Sequence, residues 1–189
     1  MLEPLNVSRE TFEDFEEYSS LILSRNKKVN LIGRGTEKIL RHRHIIDSAQ
    51  IIDFIDKNEK ICSDIGSGPG LPGIVLAIIM KHKKISMKFN LYEKSFRKTE
   101  FLNEVINKFN LNAEVFQKNI FEEKNLVTDT LVSRAFKPLP TILDLVSNNF
   151  KKLNSIILFL GKSGKEHLLK CTRIWDFEYK EKKSLTNPE

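Results

Sequence analysis

Residues 64–73 read DIGSGPGLPG, ten positions that hold four glycines and two prolines. The apolar stretch KICSDI (60–65) precedes them, and GIVLAIIM (73–80) follows. Because Gly66, Gly68 and Gly70 carry no Cβ and can adopt positive φ, the backbone there can wrap closely around a ligand. The sequence therefore predicts a binding loop between a strand and a helix.

Short β-like stretches alternate with longer helical ones from residue 60 to NSIILFL (154–160). This alternation predicts right-handed βαβ units and an α/β fold with a doubly wound, mostly parallel sheet. Such sheets bind ligands at the carboxyl ends of their strands, where the glycine loop is expected. The stretch WDFEYKEKKSL (175–185) is a candidate for one further strand.

Two or three helices are predicted before the first strand. Ser8 is a candidate N-cap for a helix whose apolar side chains, such as Phe15, recur at helical spacing. The basic stretch TEKILRHRHIIDSAQIIDFI (36–55) predicts more helix. We therefore divide the chain into an N-terminal helical segment, 1–58, packed on a core formed by 59–189.

Composition narrows the class of protein. The 31 Lys and Arg exceed the 25 Asp and Glu, and the resulting net charge of +6 is consistent with a polyanionic partner. Cys62 and Cys171 lie far apart and have no metal-ligand spacing, so neither a disulfide scaffold nor a metal site is expected. No leader and no run of about 18 apolar residues is present, which favours a soluble, cytoplasmic protein with no membrane partner.

Two acidic residues bear on the identity of the ligand. Asp64 ends the first predicted strand, and Glu93 ends the second in NLYE. A carboxylate at the position of Glu93 can accept hydrogen bonds from ribose hydroxyls, which NAD and S-adenosylmethionine share. Asp64 favours S-adenosylmethionine, because a carboxylate repels a pyrophosphate and attracts a sulfonium and an ammonium. Residues 68–73 also match G-x-G-x-x-G, so an NAD-type oxidoreductase is the main alternative.

Four stretches together resemble one known family. They are NKKVNLIGRGTEKILRHRHIIDS (26–48), DIGSGPGLPGI (64–74), LYEKSFRKTEFL (91–102) and VSRAF (132–136). Their order and spacing are similar to those of the bacterial ribosomal RNA small subunit methyltransferase G family, also called glucose-inhibited division protein B. The resemblance implies a class I Rossmann-like fold and methyl transfer from S-adenosylmethionine to N7 of a guanosine in 16S rRNA.

The resemblance also implies positions that contact the methyl donor. Gly66 and Leu71 in the first loop match such positions, as do Ile120 and Phe121 after the third strand. The family usually has an arginine and then a glutamate in this last stretch, where this chain has Asn119 and Phe121. Class I sheets usually close with an antiparallel hairpin, and no apolar run remains here for its last strand, so we expect the core to lack that strand.

Methylation at guanine N7 needs no general base, because N7 has a free lone pair. Catalysis then depends on positioning and electrostatics. By the resemblance, Arg134 in VSRAF serves the donor site and orients the reactants, and Lys162 in GKSG (161–164) faces the substrate. Lys162 does not belong to a P-loop, because that motif needs glycine where Ile156 stands.

Basic residues are dense between 25 and 44. Such density favours phosphate contacts with 16S rRNA or the small ribosomal subunit. The candidate RNA contacts are Lys27, Arg34, Arg41, Arg43 and His44. His44 and Asp47 share a predicted helix face, where they could hydrogen-bond and close the N-terminal segment over the donor. We expect a monomer, and a non-catalytic RNA-binding module of the same fold is the second alternative.

Overall fold

A computed structural model describes residues 7–161 and 163–186 of the chain. Five short stretches rich in apolar and β-branched residues form one parallel sheet in the order β3-β2-β1-β5-β7. These strands are β1 (Ile61–Ile65), β2 (Lys88–Tyr92), β3 (Ala113–Phe116), β5 (Thr130–Arg134) and β7 (Ser155–Phe159). Strands β4 (Leu126–Val127) and β6 (Phe150–Lys152) pair in a separate parallel ribbon. The predicted doubly wound α/β fold is confirmed.

The helices lie on both faces of the sheet. They are α1 (Arg9–Asn26), α2 (Asp47–Ala49), α3 (Gly73–His82), α4 (Phe96–Phe109), α5 (Leu139–Asn149) and α6 (Gly164–Cys171). Ser8 caps α1 as predicted, since its Oγ accepts a hydrogen bond from the Thr11 amide at 3.3 Å. All residues of α3 from Gly73 to Met80 are buried, because the sheet covers one side of this helix and α1 covers the other.

The stretch 36–55 is helical but not one regular helix. A 3₁₀ turn, Arg34–Ile39, begins just before it, and a π-helical turn, Arg41–Ile46, then α2 and a second 3₁₀ turn, Ile52–Phe54, follow. The π-helical turn presents the Arg43 carbonyl to the Arg134 guanidinium, whose Nη2 donates to it at 2.7 Å. Single π turns of this kind are rare and are frequently found at functional sites.

The C-terminal stretch forms no strand within the described residues, so the extra strand considered for 175–185 is not realised. Instead the chain returns across the N-terminal segment. The Leu185 amide donates to Gln50 Oε1 at 2.9 Å, and Lys182 Nζ donates to the Gln50 carbonyl at 3.0 Å. These polar contacts hold the tail against residues next to α2. None of the described helices combines the length and apolar character that crossing a membrane requires.

Candidate active site

The glycine loop leaves the carboxyl end of β1 beside the end of β2, because Ile65 pairs with Tyr92. Gly66, Gly68 and Gly70 have φ angles of 70°, 58° and 102°, a region that residues with a Cβ rarely adopt. The amides of Gly66 and Ser67 donate to the Tyr92 carbonyl at 2.9 and 3.1 Å. The loop is therefore fixed against the neighbouring strand.

Glu93 connects the end of β2 to this loop. Its Oε2 accepts a hydrogen bond from the Gly68 amide at 3.0 Å, and its Oε1 accepts one from the Ser95 amide at 2.8 Å. A carboxylate has about four acceptor sites, so each oxygen keeps capacity for a ligand hydroxyl. Glu93 is thus oriented in advance next to the glycine loop, where the sequence predicts the ribose.

Asp64 lies beneath the loop and is fully buried. Its Oδ2 accepts a hydrogen bond from the Gly73 amide at 2.9 Å, at the start of α3, while Oδ1 has no partner among the described residues. The pKa of this carboxyl is raised to about 7, chiefly by burial and also by the nearby Glu93, while the Gly73 hydrogen bond opposes the shift. Asp64 therefore supports the loop from below and has spare acceptor capacity.

The space around the loop differs from one glycine to the next. A Cβ on Gly68 would meet only the Gly66 carbonyl, at 3.9 Å, so this position faces open space. A Cβ on Gly66 would lie 2.2 Å from Cδ2 of Phe136, whose ring covers that residue. The Phe136 ring also stacks on Phe121, with centroids 6.0 Å apart and planes inclined by 27°. Two aromatic rings therefore border the loop.

The remaining predicted donor contacts lie at the same edge of the sheet. Leu71 and Ile120 are buried, whereas Phe121 keeps 37% of its surface exposed. Ile120 and Phe121 belong to a 3₁₀ turn that follows β3, and the Asn119 side chain accepts a hydrogen bond from the Phe121 amide. The turn brings Phe121 to the Phe136 ring over Gly66, as the stacking distance shows.

Arg134 ends β5 and extends to the N-terminal segment. Its Nη2 lies 2.9 Å from Asp47 Oδ2, and its Nη1 lies 3.1 Å from His44 Nδ1. Burial lowers the pKa of Arg134, and Asp47 counteracts this. Burial and the nearby Arg134 lower the pKa of His44 to about 4, so the imidazole is neutral near pH 7. His44 and Asp47 thus each contact Arg134, and no hydrogen bond joins them to each other among the described contacts.

Tyr18 is a site residue that sequence reasoning did not identify. It lies on the buried face of α1, and its hydroxyl donates to the Pro69 carbonyl at 2.7 Å. Its helical spacing from Phe15 and Ile22 predicts burial, but no sequence signal indicates a contact with the glycine loop. Through Tyr18, the N-terminal helix holds the loop in place.

The predicted RNA contacts divide into two groups. Lys27 and Arg34 are exposed and line a surface concavity of about 470 Å³. Arg41 instead folds against α1, where its Nε lies 3.4 Å from Glu16 and its guanidinium covers the Phe12 ring. Arg43 and His44 are partly buried beside Arg134, and Lys162 lies outside the described residues.

Comparison with known proteins tests the family resemblance. The family described as rRNA small subunit methyltransferase G matches residues 11–188. This chain belongs to that family. The family member of Pelagibacter ubique (strain HTCC1062) is 46% identical over 191 residues, covering 100% of this chain and 90% of its own length. That of Cereibacter sphaeroides (strain ATCC 17023) is 33% identical, covering 100% and 92%.

A solved structure supports the fold alone. A SAM-dependent O-methyltransferase from Thermotoga maritima has a TM-score of 0.50 and 22% identity, covering 66% of this chain and 47% of that one. The family resemblance inferred from the four sequence stretches is confirmed. The oxidoreductase alternative, which rested on the glycine pattern at 68–73, is not supported by these relatives.

Proposed function

We propose that this member of the rRNA small subunit methyltransferase G family transfers a methyl group from S-adenosylmethionine to N7 of a guanosine in 16S rRNA. The family membership makes the chain an S-adenosylmethionine-dependent rRNA methyltransferase. The structural observation that carries the proposal is Glu93, whose carboxylate is fixed by the Gly68 amide at the edge where the glycine loop begins.

The residues at this edge fit the methyl donor. Gly68 faces open space that a Cβ would occupy, and Glu93 retains acceptor capacity for ribose hydroxyls. Asp64 has a buried oxygen with no partner among the described residues, and its ionised form would attract a donor that carries a sulfonium and an ammonium. We assign donor contacts to Gly66, Gly70 and Leu71 of the loop, and we assign the adenine side of the site to Ile120 and Phe121.

Bound S-adenosylmethionine would supply an electrophilic methyl group. The guanine N7 lone pair needs no prior loss of a proton, so the chain needs no general base. His44 matches this requirement, because its Nδ1 accepts from Arg134 and its Nε2 lies 2.8 Å from Thr36 Oγ1, which leaves neither nitrogen free to take a proton. The work of the protein is to orient the reactants and exclude water.

Arg134 is the residue that we propose for orientation. Its contacts with Asp47 and the Arg43 carbonyl fix a positive group at the end of β5, near the glycine loop. Through these contacts Arg134 joins the N-terminal segment to the donor edge, and we propose that this fixed junction orients the reactants. We propose in addition that Lys162, from the GKSG turn, faces the RNA substrate.

A basic surface on the N-terminal segment would hold the RNA backbone. Lys27 and Arg34 are exposed around the same concavity, where they can contact phosphates. We propose that Arg43 extends this surface towards Arg134, and that Arg41 and His44 support it from behind through their contacts with Glu16 and Arg134. The segment 1–58 and the core 59–189 would act together as a cytoplasmic monomer.

Purified protein, labelled S-adenosylmethionine and either small subunits or 16S rRNA test the proposal. The expected result is incorporation of label, with 7-methylguanosine found by mass spectrometry after nuclease digestion. Glu93→Ala, which removes the proposed ribose acceptor, is the matched control and should incorporate little label. RNA binding by the wild type without incorporation on either substrate would instead support a non-catalytic module.

A further inference from the structure

We propose that Phe136 provides the aromatic face on which the target guanine stacks during methylation, an inference that rests on the proposed function. Phe136 follows Arg134 at the end of β5 and is partly buried. It is not among the positions that the family resemblance implies for donor contact. Its ring nevertheless lies directly over the glycine loop.

The backbone before Phe136 directs the ring to this position. Ala135 has a φ of 49°, in the left-handed region that residues with a Cβ rarely adopt. This turn follows Arg134, the last residue of β5, and the Phe136 ring then lies against Gly66 at the end of β1. Strained conformations of this kind persist where the surrounding structure holds them and tend to cluster at functional sites.

The strand order indicates which substrate the ring meets. Glu93 follows β2 and Phe121 follows β3, so the proposed ribose and adenine contacts lie on the β3 side of Gly66. Phe136 reaches Gly66 from the opposite side, because β5 pairs with the other edge of β1. The Phe136 ring stacks on Phe121 at 6.0 Å and therefore lies between the proposed adenine side and the end of β5. We place the target guanine on the β5 side of this ring.

The chemistry of RNA recognition requires such a surface. In an RNA helix the N7 atom faces a deep, narrow major groove that side chains cannot read. An enzyme that modifies a base therefore acts on single-stranded nucleic acid or takes the base out of the stack, and an aromatic side chain can then supply a stacking contact. Phe136 has no polar group, so it can bind the face of guanine and leave the N7 edge free to react.

Two substitutions separate stacking from donor binding and from a purely structural role. Phe136→Leu keeps an apolar side chain but removes the aromatic face, and Phe136→Trp keeps a face. For Phe136→Leu we expect RNA affinity and single-turnover methylation to fall on the order of 10- to 100-fold. The calorimetric affinity for S-adenosylhomocysteine should stay within about twofold of wild type, whereas Phe136→Trp should retain both RNA affinity and methylation.

Phe121→Leu is the matched control, because it alters the other ring of the pair and should weaken S-adenosylhomocysteine more than RNA. The inference is overturned if Phe136→Leu binds and methylates RNA like wild type, if it loses donor affinity as strongly as RNA affinity, or if Phe136→Trp is inactive. A failure of the wild type to form 7-methylguanosine is a separate result, and it would reject the proposed function itself. If Phe136→Leu does not fold, the RNA affinity and methylation of Phe136→Trp test the inference.

Discussion

Replacing Asp64 by asparagine should change how the stability of the protein depends on pH. Asp64 is fully buried beneath the glycine loop, and its Oδ2 accepts the Gly73 amide at 2.9 Å. Asparagine has nearly the same shape, and its side-chain oxygen can accept the same bond. The substitution therefore removes a titrating charge from the buried site with little change in packing.

The size of the effect follows from the pKa of this carboxyl, which rises from an ordinary 3.8 to about 7 in the folded chain. A raised pKa means that the folded state holds the proton more tightly than the unfolded state. The stabilisation of the folded state by the bound proton is complete below pH 4 and is lost as the pH rises through 7. At about 1.4 kcal/mol per pKa unit, the loss is on the order of 4 kcal/mol. The Asp64→Asn variant should not lose this stability as the pH rises.

Denaturant unfolding at several pH values between 4 and 8 measures this difference. The two proteins should have similar free energies of unfolding near pH 4, and Asp64→Asn should be the more stable near pH 8. His44 titrates in the opposite sense, because its pKa is lowered to about 4, but it is present in both proteins and cancels in the comparison. Parallel pH profiles for wild type and Asp64→Asn would refute the reasoning.

Three further variants have defined outcomes. Gly68→Ala places a Cβ in open space at a φ of 58°, so it should lower the free energy of unfolding by about 1–2 kcal/mol and abolish calorimetric binding of S-adenosylhomocysteine. Gly35→Ala is the control, because a Cβ there has no neighbour within 4 Å. Equal binding by both variants would contradict the loop assignment. Asp47→Asn leaves Arg134 without its ion-pair partner and should lower the free energy of unfolding by about 3–5 kcal/mol; a loss under 1 kcal/mol argues against a buried pair. Joint replacement of Lys27 and Arg34 by glutamine should weaken RNA binding and reduce the slope of log affinity against log salt by about 1–2, while donor affinity stays unchanged; an unaltered slope would exclude them from the RNA surface.

The sheet and its binding loop could be predicted from sequence because their signals are local. Glycines with positive φ, an apolar stretch before them and a buried helix after them all lie within 60–82. The position of Glu93 beside the loop also follows, because consecutive parallel strands end at the same edge. These features depend on strand and helix periodicity, which a single sequence displays.

Contacts between distant segments could not be predicted in this way. Tyr18 meets Pro69 across 51 positions, and Arg134 meets Asp47 only because the π-helical turn and β5 converge. The tail is another case, since its apolar residues suggested a strand, whereas the Leu185 amide binds Gln50 and the Thr186 side chain binds Asp47. Charge density alone did not distinguish Arg41, which pairs with Glu16, from the exposed Lys27.

Calorimetric titration of the purified wild-type protein with S-adenosylhomocysteine and, separately, with NADH tests the central claim most directly. The bend at 66–70, with Glu93 beside it, should bind the demethylated donor product and show no heat of binding for the dinucleotide. Saturable NADH binding, or no binding of either compound by folded protein, would contradict the account.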